Sequence, residues 1–211
     1  MLRDPAYGFL FRPGPAGEAV SLDCETTGLN PWADEVVAVA AVRLRGNRIA
    51  TSERFEALVR VDKPPSAEAI KVHGLRERDL SAGRPMDEVL PELLRFVGGR
   101  PLVGYYIDFD VRMLNKYVRR RIGTYLPNER IDISRLYYDR KYGDAPPLTS
   151  YDLRFMTIAQ DLQIPPLRQH DAFNDALMSA MMYLQLRDMQ ERGARLPRTR
   201  TAPVAVPPAV G

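Results

Sequence analysis

The order of strand and helix patterns along the chain constrains its fold more than any other feature. Five segments have strand patterns, and the second and third are joined by a Gly46-Asn47 hairpin turn. These segments are 18–25, 35–44, 49–61, 102–106 and 130–133. Helical patterns cover 67–72, 85–97, 110–122, 134–142, 150–162 and about 171–190, with Ser66 and Ser150 as expected N-caps. Strands in hairpin order, followed by strands that alternate with helices, predict an α/β domain built on a mixed sheet.

The length of 211 residues suits a single domain. Three prolines within the first 15 residues predict an irregular arm over 1–17. After Gly193 the chain is rich in Arg and Pro and has no periodicity, so we expect 193–211 to be a flexible tail. The folded domain is therefore expected to span 18–192.

Composition narrows the classes of protein. The single cysteine, Cys24, excludes an internal disulfide framework and a cysteine-rich zinc site. No apolar run is long enough to span a bilayer, and 1–17 lacks a continuous signal-peptide core, so we expect a cytoplasmic protein. The net charge of +3 is compatible with a polyanionic partner without requiring one.

Two carboxylates end the first strand pattern. Side chains alternate along a strand, so Asp23 and Glu25 point to one face and Cys24 points to the other. A pair of this kind can equally be a solvated surface pair. Asp110, with Asp108 close by, lies where an apolar strand pattern meets a helix start, and helix capping is the simpler alternative for either residue.

His170 and Asp175 are five residues apart, which would separate them by about 140° on a regular helix. They can face one site if His170 lies in a loop and Asp171 caps the following helix. The alternative is a surface histidine beside an N-cap.

Considered together, these residues predict a particular chemistry. Four clustered carboxylates repel one another unless cations neutralise them, and hard oxygen ligands favour Mg²⁺ or Mn²⁺. Two such ions can orient water and stabilise the leaving oxygen of a phosphodiester, while an imidazole acts as the general base. Gly-rich phosphate loops, dinucleotide fingerprints and nucleophile elbows are absent from the sequence, which disfavours hydride transfer and acyl transfer.

The ordered motifs resemble those of the DnaQ-like 3′–5′ exonucleases. They are the Asp23-Cys24-Glu25-Thr26-Thr27-Gly28-Leu29 run, the Val72-His73-Gly74-Leu75 run, Phe109-Asp110, and His170 with Asp175-Ala176. Four residues between the histidine and the last aspartate are typical of the DEDDh branch. The resemblance covers about 18–190.

The resemblance implies a ribonuclease-H-like fold with a central five-stranded mixed sheet flanked by helices. It also implies that Asp23, Glu25, Asp110 and Asp175 bind two divalent ions, Mg²⁺ or Mn²⁺, with His170 as general base. Thr26, Thr27 and Gly28 would contact the terminal nucleotide, Leu29 its base, and His73 the same region; an ordinary turn and a helix-end histidine are the alternatives.

The chain departs from the family where Tyr105-Tyr106 replaces a polar pair such as His-Asn. These rings can stack on a base or fill the core. A basic helix face formed by Arg112, Lys116, Arg119 and Arg120 can follow phosphates or simply be solvated.

The resulting expectation is a metal-dependent exonuclease that acts on single-stranded 3′ ends and releases 5′-mononucleotides. DNA is the expected substrate. An exoribonuclease is one alternative, and a non-catalytic module that binds nucleic acid or a polymerase is another. A DNA polymerase is therefore a further candidate partner.

Overall fold

The computed structural model describes residues 2–146 and 148–198, and it contains one six-stranded mixed sheet. The strands are β1 (Glu18–Thr26), β2 (Val36–Arg45), β3 (Arg48–Arg60), β4 (Arg84–Pro85), β5 (Leu102–Gly104) and β6 (Arg130–Asp132). Their order is β4-β3-β2-β1-β5-β6. The predicted α/β class is confirmed, and the sheet has one strand more than the five expected.

The additional strand, β4, is only two residues long and pairs in parallel with the end of β3. A segment this short carries no alternating pattern, so the sequence gives no sign of it. Strands β1, β2 and β3 are antiparallel, whereas β5 and β6 continue the sheet in parallel with β1.

Seven helices occur in the described part of the chain. They are α1 (Ala67–His73), α2 (Glu77–Leu80), α3 (Met86–Val97), α4 (Ile107–Ile122), α5 (Ile133–Lys141), α6 (Phe155–Asp161) and α7 (Ala172–Glu191). Ser66 caps α1 and Gly74 ends it in a left-handed conformation, as predicted. None of these helices combines the length and apolar character that crossing a membrane requires.

The sheet separates two hydrophobic cores. Val20, Leu22 and Cys24 of β1 pack with α3 and α4 on one face. Ala19 of β1 and Val103 of β5 contribute to the second core, which includes residues of α5, α6 and α7. The alternation along β1 therefore buries both of its faces, and only the end of the strand is left for polar groups.

One buried hydrogen bond fixes α7 to the central strand. The Ser21 hydroxyl donates to the carbonyl of Ala176 at 2.7 Å, and Ser21 is fully buried. Ala176 follows Asp175 directly, so this hydrogen bond fixes the position of Asp175 relative to β1.

Besides β4 and the short helix α2, which no sequence pattern predicted, three segments differ from the expectations. A 3₁₀ helix (Pro5–Phe11) lies within the arm expected to be irregular, and its Tyr7 and Leu10 are buried. The arm packs closely at Gly99, where a Cβ would lie 1.8 Å from the Arg12 carbonyl oxygen.

The helix predicted over 150–162 begins only at Phe155, and Ser150 does not cap it. Asp152 accepts a hydrogen bond from the backbone N–H of Arg154 at 3.0 Å and pairs with its guanidinium, which favours a turn over another helical turn.

The start of the expected tail contacts α5. The N–H of Leu196 donates to the Arg140 carbonyl at 3.0 Å, and Arg195 pairs with Asp144 at 2.9 Å. The remainder of the tail, from residue 199, lies outside the described residues.

We predict that Ser21→Ala lowers the free energy of unfolding by about 1 kcal/mol, because it removes the buried hydroxyl that donates to the Ala176 carbonyl. Urea denaturation measures the change. Ser52→Ala, the same substitution at an exposed position of β3, should change the value by less than about 0.5 kcal/mol. Equal effects of the two substitutions would contradict the role given to Ser21.

Candidate active site

A cavity of about 510 Å³ opens at the end of β1. All five residues predicted to bind metal or act as base line it: Asp23, Glu25, Asp110, His170 and Asp175. They come from β1, α4 and the start of α7, so three distant stretches of sequence meet in one place.

The end of β1 supplies two of the carboxylates. Asp23 and Glu25 are partly exposed, whereas Cys24 between them is buried in the core against α3 and α4. The residues opposite them on β2 are small, with Asp23 facing Ala40 and Glu25 facing Ala38. These alanines leave space beside the carboxylates that larger side chains would fill.

Asp110 lies in the first turn of α4 and is only 4% exposed. It does not cap that helix, whose N-cap is Tyr106. Instead its Oδ1 accepts a hydrogen bond from the backbone N–H of Cys24 at 2.9 Å, which connects α4 to β1. Asp108 points elsewhere and pairs with Arg130 at 2.6 Å.

His170 and Asp175 meet because the helix begins between them. Asp171 caps α7 by accepting from the N–H of Asn174 at 3.1 Å, as predicted. His170 has a left-handed φ of 58°, and its backbone N–H donates to Asp175 Oδ2 at 2.8 Å. A non-glycine residue in this conformation is strained, and such strain is typical of functional sites.

Burial, with a contribution from neighbouring carboxylates, raises the pKa values of the carboxyl groups in the cavity. Burial, then the neighbouring Asp110 and Glu25, raise the pKa of Asp23 well above its usual range. Burial is also the main cause that raises the pKa of Glu25 to about 7 and that of Asp110 to about 8. The pKa of Asp175 is raised by burial as well.

These residues fit divalent cations. One ligand atom each from Glu25, His170 and Asp175 lies within 4.8 Å of the other two. The Oδ1 atom of Asp175 is buried and has no hydrogen-bond partner among the residues that the structure describes. A buried carboxylate oxygen without a donor, beside further carboxylates, is the arrangement that a cation would satisfy.

The turn after β1 is held by internal hydrogen bonds. The N–H of Thr27 donates to the Glu35 carbonyl at 2.9 Å, and its hydroxyl donates to Asp34 Oδ1 at 3.0 Å. A Cβ on Gly28 would lie 2.6 Å from Asp34 Oδ2, so glycine allows this close approach. Thr26 and Thr27 are buried.

His73 is buried and contributes to the same turn. Its Nδ1 accepts from the N–H of Leu75 at 3.0 Å, so its Nε2–H donates to the Thr26 carbonyl at 3.2 Å. Burial is the main cause that lowers the pKa of His73, which favours this neutral form. Its hydrogen bonds support the turn, and its side chain also lines a neighbouring pocket together with Glu25 and His170.

Aromatic rings form one wall of the cavity. Tyr105 donates its hydroxyl hydrogen to the Leu153 carbonyl at 2.9 Å and packs against Phe155, 5.2 Å between ring centroids. Tyr106 is 47% exposed, and its ring centroid is 4.4 Å from that of Tyr105. Tyr105 thus packs on the second core and also lines the cavity, whereas Tyr106 is the more exposed of the two rings that line it. Leu29, 83% exposed, also lines it.

Sequence reasoning missed Phe155 and Gln169, which also line the cavity. A phenylalanine in a helical pattern looks like a core residue, so the sequence carries no signal for Phe155. Gln169 directly precedes His170, and this position is the only feature of the sequence that could have indicated that Gln169 lines the cavity.

Comparison with known proteins decides the family. A family model described as Exonuclease (RNase_T) matches residues 20–183. The chain belongs to this exonuclease family. The resemblance to the DnaQ-like enzymes is thereby confirmed, and the exonuclease match covers β1 through most of α7.

Two curated relatives illustrate the similarity of this exonuclease chain. It is 31% identical over 170 residues to the DNA polymerase III subunit epsilon of Aquifex aeolicus, covering 81% of this chain and 80% of that protein. It is 30% identical over 173 residues to the PolC-type DNA polymerase III of Thermotoga maritima, covering 82% of this chain and 12% of that one. The chain thus spans about an eighth of the length of the PolC-type relatives.

Solved exonuclease structures share the fold. E. coli Exonuclease I in complex with a dA16 oligonucleotide has a TM-score of 0.69 at 17% identity, covering 83% of this chain and 42% of that one. Cell-death related nuclease 4 has a TM-score of 0.67 at 18% identity, covering 87% and 67%. A zinc-bound form of an E. coli Exonuclease I complex with single-stranded DNA is also similar, with a TM-score of 0.66 at 17% identity, covering 83% and 41%.

We predict that the metal-free exonuclease loses stability as the pH rises from about 4 to about 8. The fold raises the pKa of these carboxyls, so the folded state binds more protons than the unfolded state in that window. Asp110→Asn should reduce the loss by about 1–2 kcal/mol, since asparagine Oδ1 can still accept from Cys24. Denaturation in a chelator at several pH values measures this.

Asp108→Asn, two residues earlier in α4, is the matched control, because Asp108 is exposed and lies outside the cavity. It should leave the pH dependence of the metal-free protein unchanged. If both variants reproduce the wild-type profile, carboxylate repulsion in the cavity does not limit stability.

Proposed function

We propose that this chain is a metal-dependent 3′–5′ exonuclease that hydrolyses terminal phosphodiesters of single-stranded nucleic acid and releases 5′-mononucleotides. The catalytic domain would span 18–192. The observation that carries the proposal is the convergence of four carboxylates and one imidazole in a single cavity of a chain that belongs to the exonuclease family.

Asp23, Glu25, Asp110 and Asp175 would hold two divalent cations. Oxygen donors of this kind favour Mg²⁺ or Mn²⁺. When bound, such a cation pair supplies Lewis-acid stabilisation to the charge that develops on the phosphoryl group and on the leaving oxygen. The raised pKa values of Glu25 and Asp110 support this role, because cations would favour the charged carboxylates that burial disfavours.

His170 would remove the proton from the attacking water. Its imidazole is exposed at the cavity, and one of its ring nitrogens lies within 4.8 Å of carboxylate oxygens of Glu25 and Asp175. The strained backbone of His170 and its bond to Asp175 would keep the ring from swinging away. The proton leaves to solvent from the exposed edge of the ring.

The terminal nucleotide would lie between Leu29 and Tyr106, both of which are exposed and line the same cavity. The turn at Thr26, Thr27 and Gly28 would present backbone groups to its sugar. His73 would act indirectly by supporting that turn, and Tyr105 by supporting Tyr106.

We propose DNA as the substrate. The relatives named as DNA polymerase III subunits and the similar Exonuclease I structure with a DNA oligonucleotide support this choice. The same relatives support a DNA polymerase as a partner of this chain.

The central test uses a single-stranded DNA oligonucleotide labelled at its 5′ end, with Mg²⁺ or Mn²⁺. Wild-type protein should produce a ladder of labelled products that shorten from the 3′ end. His170→Ala should reduce the rate by about 10²–10⁴-fold, because the general base is lost. Asp110→Asn should reduce it to background.

Asp108→Asn again serves as the matched control and should keep at least half of the wild-type rate. Circular dichroism checks that each variant is folded. Folded wild-type protein that produces no ladder with either metal ion would refute the proposed activity, and an active Asp110→Asn variant would refute the site.

Tyr106→Ala should raise the KM for single-stranded DNA by about tenfold, because stacking of a base on an aromatic ring contributes about 1–3 kcal/mol. Tyr106→Phe keeps the ring and should behave as wild type. Steady-state kinetics on the labelled oligonucleotide distinguish the two. If both substitutions act equally, the hydroxyl rather than the ring matters.

A further inference from the structure

A second cavity, larger than the first, lies along α4 and has a volume of about 890 Å³. We call it the basic groove. Its positive charge comes from Arg3, Arg112, Lys116, Arg119 and Arg120, and its aromatic rings are Trp32 and Tyr125. The proposed exonuclease site does not use any of these residues.

Four of the five groove cations form no ion pair in the described part of the chain, while Lys116 donates to the Asp34 carbonyl and lies near the carboxylates of Asp34 and Glu35. Among the described residues, none of the five has a carboxylate oxygen within 4.0 Å, whereas Arg43, Arg45 and Arg100 elsewhere each form an ion pair. Four of the cations are spaced along one face of α4 between positions 112 and 120. Clustered cations with few counter-charges repel one another, and a polyanion in the groove would relieve that repulsion.

Trp32 is 90% exposed although the loop around it is ordered by hydrogen bonds. Its backbone N–H donates to Asn30 Oδ1 at 3.0 Å, and the N–H of Asn30 donates to Asp34 Oδ2 at 2.9 Å. The indole is therefore held out in solvent by its backbone. An indole ring exposed to water does not stabilise the fold by burial, but it is available for stacking on a base.

Tyr125 provides a second ring at the groove and is 52% exposed. The guanidinium carbon of Arg119 lies 5.7 Å from its ring centroid. Cations beside aromatic rings are the combination by which proteins bind single strands, since phosphates meet the cations and bases stack on the rings.

The basic groove and the catalytic cavity share the same two structural elements. In the loop after β1, Leu29 lines the cavity and Trp32 lines the groove. In α4, Asp110 lines the cavity, while Arg112 and the cations after it line the groove. From 110 to 120 the helix extends about 15 Å. The groove cations lie about 180–280° around the helix axis from Asp110, so the two sites open on different faces of α4. A strand would therefore pass from the cavity to the groove over the loop that carries Leu29 and Trp32.

We propose that the basic groove binds the single-stranded segment that precedes the 3′-terminal nucleotide, with phosphates on the α4 cations and a base stacked on Trp32. This inference rests on the proposed exonuclease function for its direction, from the groove to the cavity. Binding in the groove would keep the substrate attached between successive cleavages.

Trp32 is the only tryptophan in the chain, so its fluorescence reports directly on the groove. Protein in a chelator, which prevents cleavage, is titrated with oligothymidylate and oligouridylate of increasing length. We expect quenching that strengthens from the dinucleotide to about 12 nucleotides, and no quenching by mononucleotide. Affinity should fall steeply with added salt.

The charge variant is Arg112→Gln/Arg120→Gln. Its affinity for the long oligonucleotide should be about tenfold or more weaker at about 50 mM salt, with a salt slope smaller by about 2. The matched control is Arg95→Gln/Arg135→Gln, which removes two exposed helix arginines that do not line the groove. It should bind as wild type.

Trp32→Phe should retain most of the affinity and Trp32→Ala should lose it, as measured by anisotropy of labelled oligonucleotide.

Quenching in the chelator is independent of cleavage, so the two proposals fail separately. If oligonucleotides quench the Trp32 fluorescence but are not cleaved in the presence of metal ions, the groove proposal stands and the exonuclease proposal is refuted. A protein that cuts but shows no length-dependent quenching refutes the groove. The groove proposal would also be overturned if the two double variants lost equal affinity for the oligonucleotide, or if polyglutamate bound as tightly as the oligonucleotide. Either result would mean that binding depends on overall charge and not on the groove.

Discussion

The burial of four carboxyl groups in one cavity is the constraint on which the rest of the structure depends, because burial is the main cause that raises their pKa values. Each of these groups is carried by an element that the hydrophobic cores hold in place. Asp110 is fixed to β1 through the N–H of Cys24, and Asp175 is fixed through the Ser21 bond to the following residue. The cores and these two hydrogen bonds offset the electrostatic cost of burying these groups together.

The sequence predicted those parts of the fold that depend on local pattern. The alternation around Cys24, the Ser66 cap and the Asp171 cap all follow from residues close together in the chain, and the structure has each of them. The parts that were missed depend on distant partners. The 3₁₀ helix of the arm exists because it packs on the domain, and β4 exists because β3 offers it an edge.

The candidate site shows the same division. The five polar residues could be chosen from sequence because their order is specific, whereas the aromatic wall could not, since Phe155 resembles any core residue. The sequence equally did not predict that Trp32 is exposed. This exposure results from Asp34, which accepts hydrogen bonds from Thr27 and Asn30 and thereby shapes the loop that separates the two cavities.

The strict alternation along β1 has a consequence for how such a chain can change during evolution. A one-residue insertion or deletion within this strand would exchange the two faces beyond it, turning the Cys24 thiol into the cavity and driving charged groups between the sheet and α3. Length variation is thus excluded from the central strand. Between α5 and α6, the described residues 142–146 and 148–150 form no strand pairing, so an insertion there would shift no register, and lineages would diverge in length there first.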